Sequence, residues 1–109
     1  MDYERLRAFR NENNPFPRRL GIYVEELRPG CARAVKTVTE EDLNPLQVTH
    51  GGVYYTLADT ACGSAMAAYG TMAVTVNSAF SFLKSAQAGD RLTAEARELP
   101  GGRSVRVLE

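Results

Sequence analysis

The chain has 109 residues, with 13 basic and 13 acidic side chains and a formal net charge of zero. That length holds one domain, residues 1–109, and the balanced charge excludes the footprint of a nucleic-acid binder or a polybasic membrane patch. A domain this short buries only about two-thirds of its unfolded surface, so sharing an apolar face with a second copy is expected to stabilise it.

The first residues, Met1-Asp2-Tyr3-Glu4-Arg5, carry charge where a secretory leader would be apolar, and a cytoplasmic protein is expected. Tyr3, Leu6 and Phe9 space a short amphipathic helix. It should stop at Asn13-Asn14-Pro15, because the residue before proline is pushed out of helical geometry. A strand is expected over 21–27, with Ile22 and Val24 alternating with Tyr23 and Glu25. Arg28-Pro29-Gly30 is a turn, and Cys31 to Val38 resumes as a second, less regular strand. The polar run from Thr39 to Pro45 is a connection with about one helical turn.

Val53 to Tyr69 is the only long helical segment, with Val53, Leu57, Ala61, Ala65 and Ala68 on one face. Asp59 interrupts its apolar character, and the run is too short to span a bilayer. Its small residues on several sides fit a helix enclosed by a sheet. Gly70 caps it. Three strand-like runs follow: one in which Val74, Val76, Phe80 and Phe82 alternate with Thr75, Asn77 and Ser81, then Arg91 to Leu99, then Arg103 to Leu108. Turns at Ala88-Gly89-Asp90 and Pro100-Gly101-Gly102 favour an antiparallel sheet with a single central helix, an α+β fold.

Cys31 and Cys62 read as reduced thiols, and one histidine with two distant cysteines does not supply metal-ligand pairs, so no metal is expected. Chemistry concentrates in the stretch from Asn44 to Asp59. Gly51-Gly52 stands just before the long helix, where backbone N–H groups lack partners and the helix dipole is positive. Such a place can hold a carbonyl oxygen or the oxyanion it becomes. On spacing alone, a plain turn before a helix is the better reading. Asp59 lies two turns inside the helix among Tyr55, Thr56, Cys62, Gly63 and Met66, largely apolar company for a carboxylate. A lone mid-helix aspartate usually faces solvent. With no other charge nearby in the helix, a functional, water-poor setting is expected here.

His50-Gly51-Gly52, Leu57-Ala58-Asp59-Thr60-Ala61, Asn44 six residues before His50, and Thr75-Val76-Asn77 running on to Phe82-Leu83 together resemble the hotdog-fold acyl-CoA thioesterases of the phenylacetate-degradation type. The resemblance implies a hotdog fold, an antiparallel sheet wrapped around one long central helix, and a cytoplasmic homotetramer that hydrolyses acyl-CoA. It implies that Asp59 is the catalytic carboxylate, as general base on water or as direct nucleophile, and that the Gly51 N–H polarises the thioester carbonyl. His50 and Asn44 match the polar pair near the thioester and the attacking water. Thr75 matches a hydroxyl that positions water or acid. Gly52, Tyr55, Asn77, Lys84 and Arg103 are candidate substrate contacts, although surface charge is the simpler reading of Lys84 and Arg103. Asp59 would come from one subunit and Asn44, His50 and Gly51 from its partner, in a dimer or dimer of dimers. For His50, positioning is favoured over proton abstraction. No cofactor is implied, since CoA is part of the substrate.

Relatives usually continue beyond the position of Glu109, so the domain is expected to lack its last strand, and they often carry proline where Ser85 stands. Two other functions fit the same frame: a non-catalytic acyl-CoA-binding module, and a hotdog enoyl hydratase or dehydratase.

Overall fold

Asp2 caps the first helix, its carboxylate accepting the Arg5 N–H at 3.0 Å, in a computed structural model that describes residues 1–109. That helix, α1 (Tyr3–Asn13), ends where Pro15 requires, and a short α2 (Pro15–Arg19), not anticipated from the sequence, follows with proline in its first turn. Strands β1 (Tyr23–Arg28) and β2 (Cys31–Thr37) form a hairpin. Its turn places Gly30 at φ 76°, where an added Cβ would meet the Tyr69 hydroxyl at 3.0 Å, so only glycine fits without strain. Strand β3 (Arg91–Arg97) pairs with the other edge of β2, giving the antiparallel order β1-β2-β3.

Side-chain phase explains what covers the sheet. Ala32, Ala34 and Lys36 of β2 share one face, and their partners in β3 are Ala96, Ala94 and Leu92. In β1 the register shifts between Val24 and Glu26, so Val24 and Leu27 turn inward and Glu25 and Glu26 do not. Against this face lies α3 (Gly51–Ala67), with Val53, Leu57, Ala61 and Ala65, and Ala68 just beyond it, all buried. Alanine facing alanine lets helix and sheet approach closely. Hydroxyls on α3 satisfy themselves: Thr56, Thr60 and Ser64 donate to the carbonyls of Gly52, Thr56 and Thr60 at 2.9, 2.7 and 2.7 Å. No helix of the chain is long and apolar enough to cross a membrane.

Two expected strands take a different form. Residues 71–85 carry the alternation read from the sequence, yet their backbone makes no hydrogen bond, and Val74 and Leu83 are 89% and 92% exposed. Alternation prepares a strand, but a ladder needs a neighbour, and within this chain nothing pairs with the segment. The run Arg103 to Leu108 reaches only a bridge between Glu98 and Leu108, with bonds Leu99 N–H to Val107 C=O and a reciprocal pair between Arg97 and Glu109.

An ion pair sits inside. Lys36, in phase with Ala32 and Ala34, points inward and meets Asp42 at 2.9 Å, the two side chains being 4% and 6% exposed. The ammonium also donates to Leu20 C=O, and the Asp42 carboxylate accepts the Thr39 N–H and hydroxyl at 2.7 and 3.0 Å. Burial alone would push the Asp42 carboxyl up. The Thr39 N–H, the Lys36 ammonium and the Thr39 hydroxyl outweigh it and hold the carboxyl below the usual aspartate range. Removing one partner of such a pair strands the other, so Asp42→Ala is expected to lower unfolding free energy by about 3–5 kcal/mol in urea titration. The double variant Lys36→Met, Asp42→Leu should recover most of that loss. A cost below about 1 kcal/mol for Asp42→Ala would mean that the pair contributes no more than a surface ion pair.

Candidate active site

The connection from β2 to α3 is built to present the start of the helix. Asp42 C=O accepts the His50 N–H at 2.8 Å, so the buried ion pair fixes the residue that caps α3. His50 has extended geometry, φ −62° and ψ 138°, and its Nδ1 accepts the Gly52 N–H at 2.9 Å. An Nδ1 that accepts this bond leaves the ring proton on Nε2, so in this arrangement His50 offers a donor and not a base. The Val53 N–H bonds to His50 C=O, while the Gly51 N–H donates to no group. Gly51 is therefore an unpartnered donor at the positive end of a 17-residue helix.

A cleft of about 330 Å³ opens beside this donor, walled by Asn44, Gly51, Tyr54, Phe82, Lys84 and Ser85 among others. Asn44 Oδ1 accepts the N–H groups of Leu46 and Val48 at 2.9 and 3.4 Å, which bends the loop and leaves the Nδ2 donor unpaired at the cleft. Thus Asn44, Gly51 and Lys84 come together, with His50 and Gly52 next to them.

Asp59 lies elsewhere. It is exposed in the single chain, and Thr75 Oγ1–H donates to its Oδ1 at 2.5 Å. The expected water-poor setting is not met within one chain: Thr56, Cys62, Gly63 and Met66 beside it are half-buried, whereas Asp59 itself stays exposed. Burial, and then the Asp59 charge, push the pKa of the neighbouring Cys62 thiol up and lower its thiolate fraction. Tyr55 packs on Phe80 with ring centroids 4.2 Å apart and ring planes tilted by 49°, and Phe80 and Phe82 continue this aromatic cover over α3. Asn77 is exposed and its amide has no protein partner. Arg103 sits in the hairpin past β3, where its C=O accepts from Arg106 and Arg106 pairs with Glu98 near Tyr69, at the other end of α3. One chain therefore holds two partial sites: an amide donor with polar neighbours, and a carboxylate with a hydroxyl.

The same stretch decides the family, for the sequence model of the thioesterase superfamily matches residues 46–109. The chain belongs to the thioesterase superfamily. The acyl-coenzyme A thioesterase PaaI of Escherichia coli is 37% identical over 90% of this chain and 70% of its own length. The structure of that PaaI protein, from the phenylacetic acid degradation operon, superposes with a TM-score of 0.88 at 36% identity, covering 94% of this chain and 75% of that one. A thioesterase protein of Streptococcus pneumoniae, solved with coenzyme A, gives a TM-score of 0.74 at 29% identity over 80% of this chain and 68% of that one. A protein of Archaeoglobus fulgidus that carries an esterase name is 31% identical over 88% of this chain, and this chain spans only 62% of its length. This thioesterase-superfamily chain thus has the hotdog arrangement expected from its motifs, of the phenylacetate-degradation type, with α3 lying against an antiparallel sheet.

Sequence reasoning missed two features that shape the site. The Lys36–Asp42 pair had a signal, since Thr39-Glu40-Glu41-Asp42 has capping-box spacing and Lys36 falls in phase with two alanines. The bond from Ala86 N–H to the Tyr54 hydroxyl, at 2.9 Å, had none.

Proposed function

We propose that this chain hydrolyses an acyl-CoA thioester in sites completed by two copies of itself. The observation that carries the proposal is the separation of its two chemical groups. Asp59 stands eight residues along α3 from Gly51, about 12 Å by helical rise. A carbonyl oxygen held at ~3 Å by the Gly51 N–H leaves its own carbonyl carbon and attacking water far from the Asp59 of the same chain. A second copy, antiparallel to the first, would bring Asp59 and Thr75 to the Asn44–Gly51 cleft.

In that arrangement Thr75 donates to Asp59 Oδ1 and leaves Oδ2 for a water. The carboxylate takes one proton as the water oxygen bonds to the carbonyl carbon. Negative charge moves to the carbonyl oxygen, where the Gly51 N–H stabilises it. Collapse of the tetrahedral intermediate breaks the C–S bond, and CoA leaves as a thiolate that needs no strong acid; the proton on Asp59 then returns to solvent or to the thiolate. His50 and the Asn44 amide donate near the thioester, with Lys84 at the cleft for the polar end of CoA. The names of the E. coli relative and the CoA-bound streptococcal structure support this choice of substrate. The acyl group, the number of subunits and a cytoplasmic location belong to the same proposal.

The test is CoA release from a panel of aryl-acetyl and medium-chain thioesters. Turnover with release of free acid is expected. Tight CoA binding without release would instead make the chain a ligand-binding module, and hydration of an enoyl-CoA would make it a hydratase.

A further inference from the structure

Between Gly70 and Ala86 the chain runs through fifteen residues, 71–85, whose backbone bonds to nothing, and then it is seized at one residue. Ala86, 8% exposed, is held at three points by residues at the start of α3. Its N–H donates to the Tyr54 hydroxyl at 2.9 Å. Its C=O accepts the Thr49 N–H at 2.9 Å and the Thr49 hydroxyl at 2.8 Å. Thr49 is buried and directly precedes the cap residue His50; Tyr54 lies in the first turn of the helix.

The consequence is geometric. One wall of the cleft carries the Gly51 N–H, and the other carries Phe82, Leu83, Lys84 and Ser85. Within one chain no ladder places the second wall; Phe80 and Phe82 pack on Tyr54 and Tyr55, and the backbone is hydrogen-bonded only at Ala86, the residue after Ser85. We propose that Tyr54 and Thr49 are positioning residues that clamp Ala86, hold the Lys84–Ser85 wall against the start of α3, and thereby set affinity for the CoA portion of the substrate while leaving the chemical step alone. The inference rests on the acyl-CoA reading above and adds to it the residues that fix the second wall. The simpler view makes Tyr54 a packing aromatic, its ring 5.9 Å from that of Phe82. Phenylalanine at position 54 keeps that packing and removes only the oxygen, so the two views separate cleanly.

The experiment uses the full chain. In Tyr54→Phe the Ala86 amide should exchange its hydrogen faster by about threefold to tenfold, the range one hydrogen bond supplies. KM for the acyl-CoA that is turned over, and Kd for coenzyme A itself by calorimetry, should rise by a similar ~3–10-fold, with kcat unchanged within about twofold. Thr49→Val, which removes the hydroxyl donor but keeps the N–H, should shift KM the same way. Tyr3→Phe, remote from the cleft, is the control and should match the parent. Unchanged Ala86 exchange in Tyr54→Phe would overturn the clamp. Faster exchange with unchanged CoA affinity, or a fall in kcat at constant KM, would overturn its role in binding. If the parent chain neither binds coenzyme A nor cleaves any thioester, the acyl-CoA reading fails and takes the ligand assignment with it, while the exchange result still judges the clamp itself.

Discussion

Asp59→Asn is expected to abolish most thioester hydrolysis, lowering kcat by about 10²–10⁴-fold, the range a positioned general base contributes. The amide has the shape of the carboxylate, and its oxygen still accepts from Thr75 Oγ1, so the side chain keeps its place. What it loses is the lone pair basic enough to take a proton from water. Because Asp59 is exposed in the chain and takes part in no ion pair, the substitution should leave unfolding free energy within about 0.5 kcal/mol of the parent. KM should stay close to its parental value, since the groups placed on the substrate are Asn44, His50, Gly51 and Lys84. Following the loss of thioester absorbance avoids thiol reagents that would also titrate Cys31 and Cys62, both free. An Asn variant that keeps more than a tenth of parental kcat would remove Asp59 from the chemistry.

The helix was legible because its evidence is local and repeated. Val53, Leu57, Ala61, Ala65 and Ala68 mark one face in the sequence, and all five are buried. The β1–β2 turn was legible for a similar reason: Pro29-Gly30 has one economical backbone path. The segment around Thr75 shows where local evidence ends. Its alternation is real, but a strand is a relation between two segments, and pairing depends on a neighbour that the residues themselves do not name. Asp59 repeats the lesson at the site. Its apolar neighbours on α3 were read as burial, yet a helix face is dry only if something lies on it. Lys36 carries the opposite signal, since only its phase with Ala32 and Ala34 marks a strand lysine as inward-facing. The motifs His50-Gly51-Gly52 and Leu57-Ala58-Asp59 placed the start of α3 and the position of Asp59 along it, because helix-start geometry and helix phase are both written in short spacings. The Ala86 clamp spans thirty-two residues from Tyr54 and leaves no periodic trace.

Gly51→Pro isolates the other half of the chemistry with little cost to the fold. Gly51 is the first residue of α3, the position where proline is best tolerated, because the N–H there has no place in the helical ladder. In this chain that N–H has no partner, so its removal breaks no hydrogen bond. His50 already has the extended geometry, φ −62° and ψ 138°, that a residue before proline must adopt. An added Cβ would meet the Phe82 ring at 3.5 Å, ordinary van der Waals contact. The protein should therefore fold as before, whereas kcat/KM should fall by about 10²–10³-fold, the loss that follows removal of one oxyanion donor. Gly51→Ala adds the same Cβ but keeps the N–H, and it should lose far less. If the alanine and proline variants fall together, crowding of the cleft and not a missing donor explains the loss. If neither falls, the oxyanion is held by another group, and the unpaired Asn44 amide at the cleft is the donor to replace next.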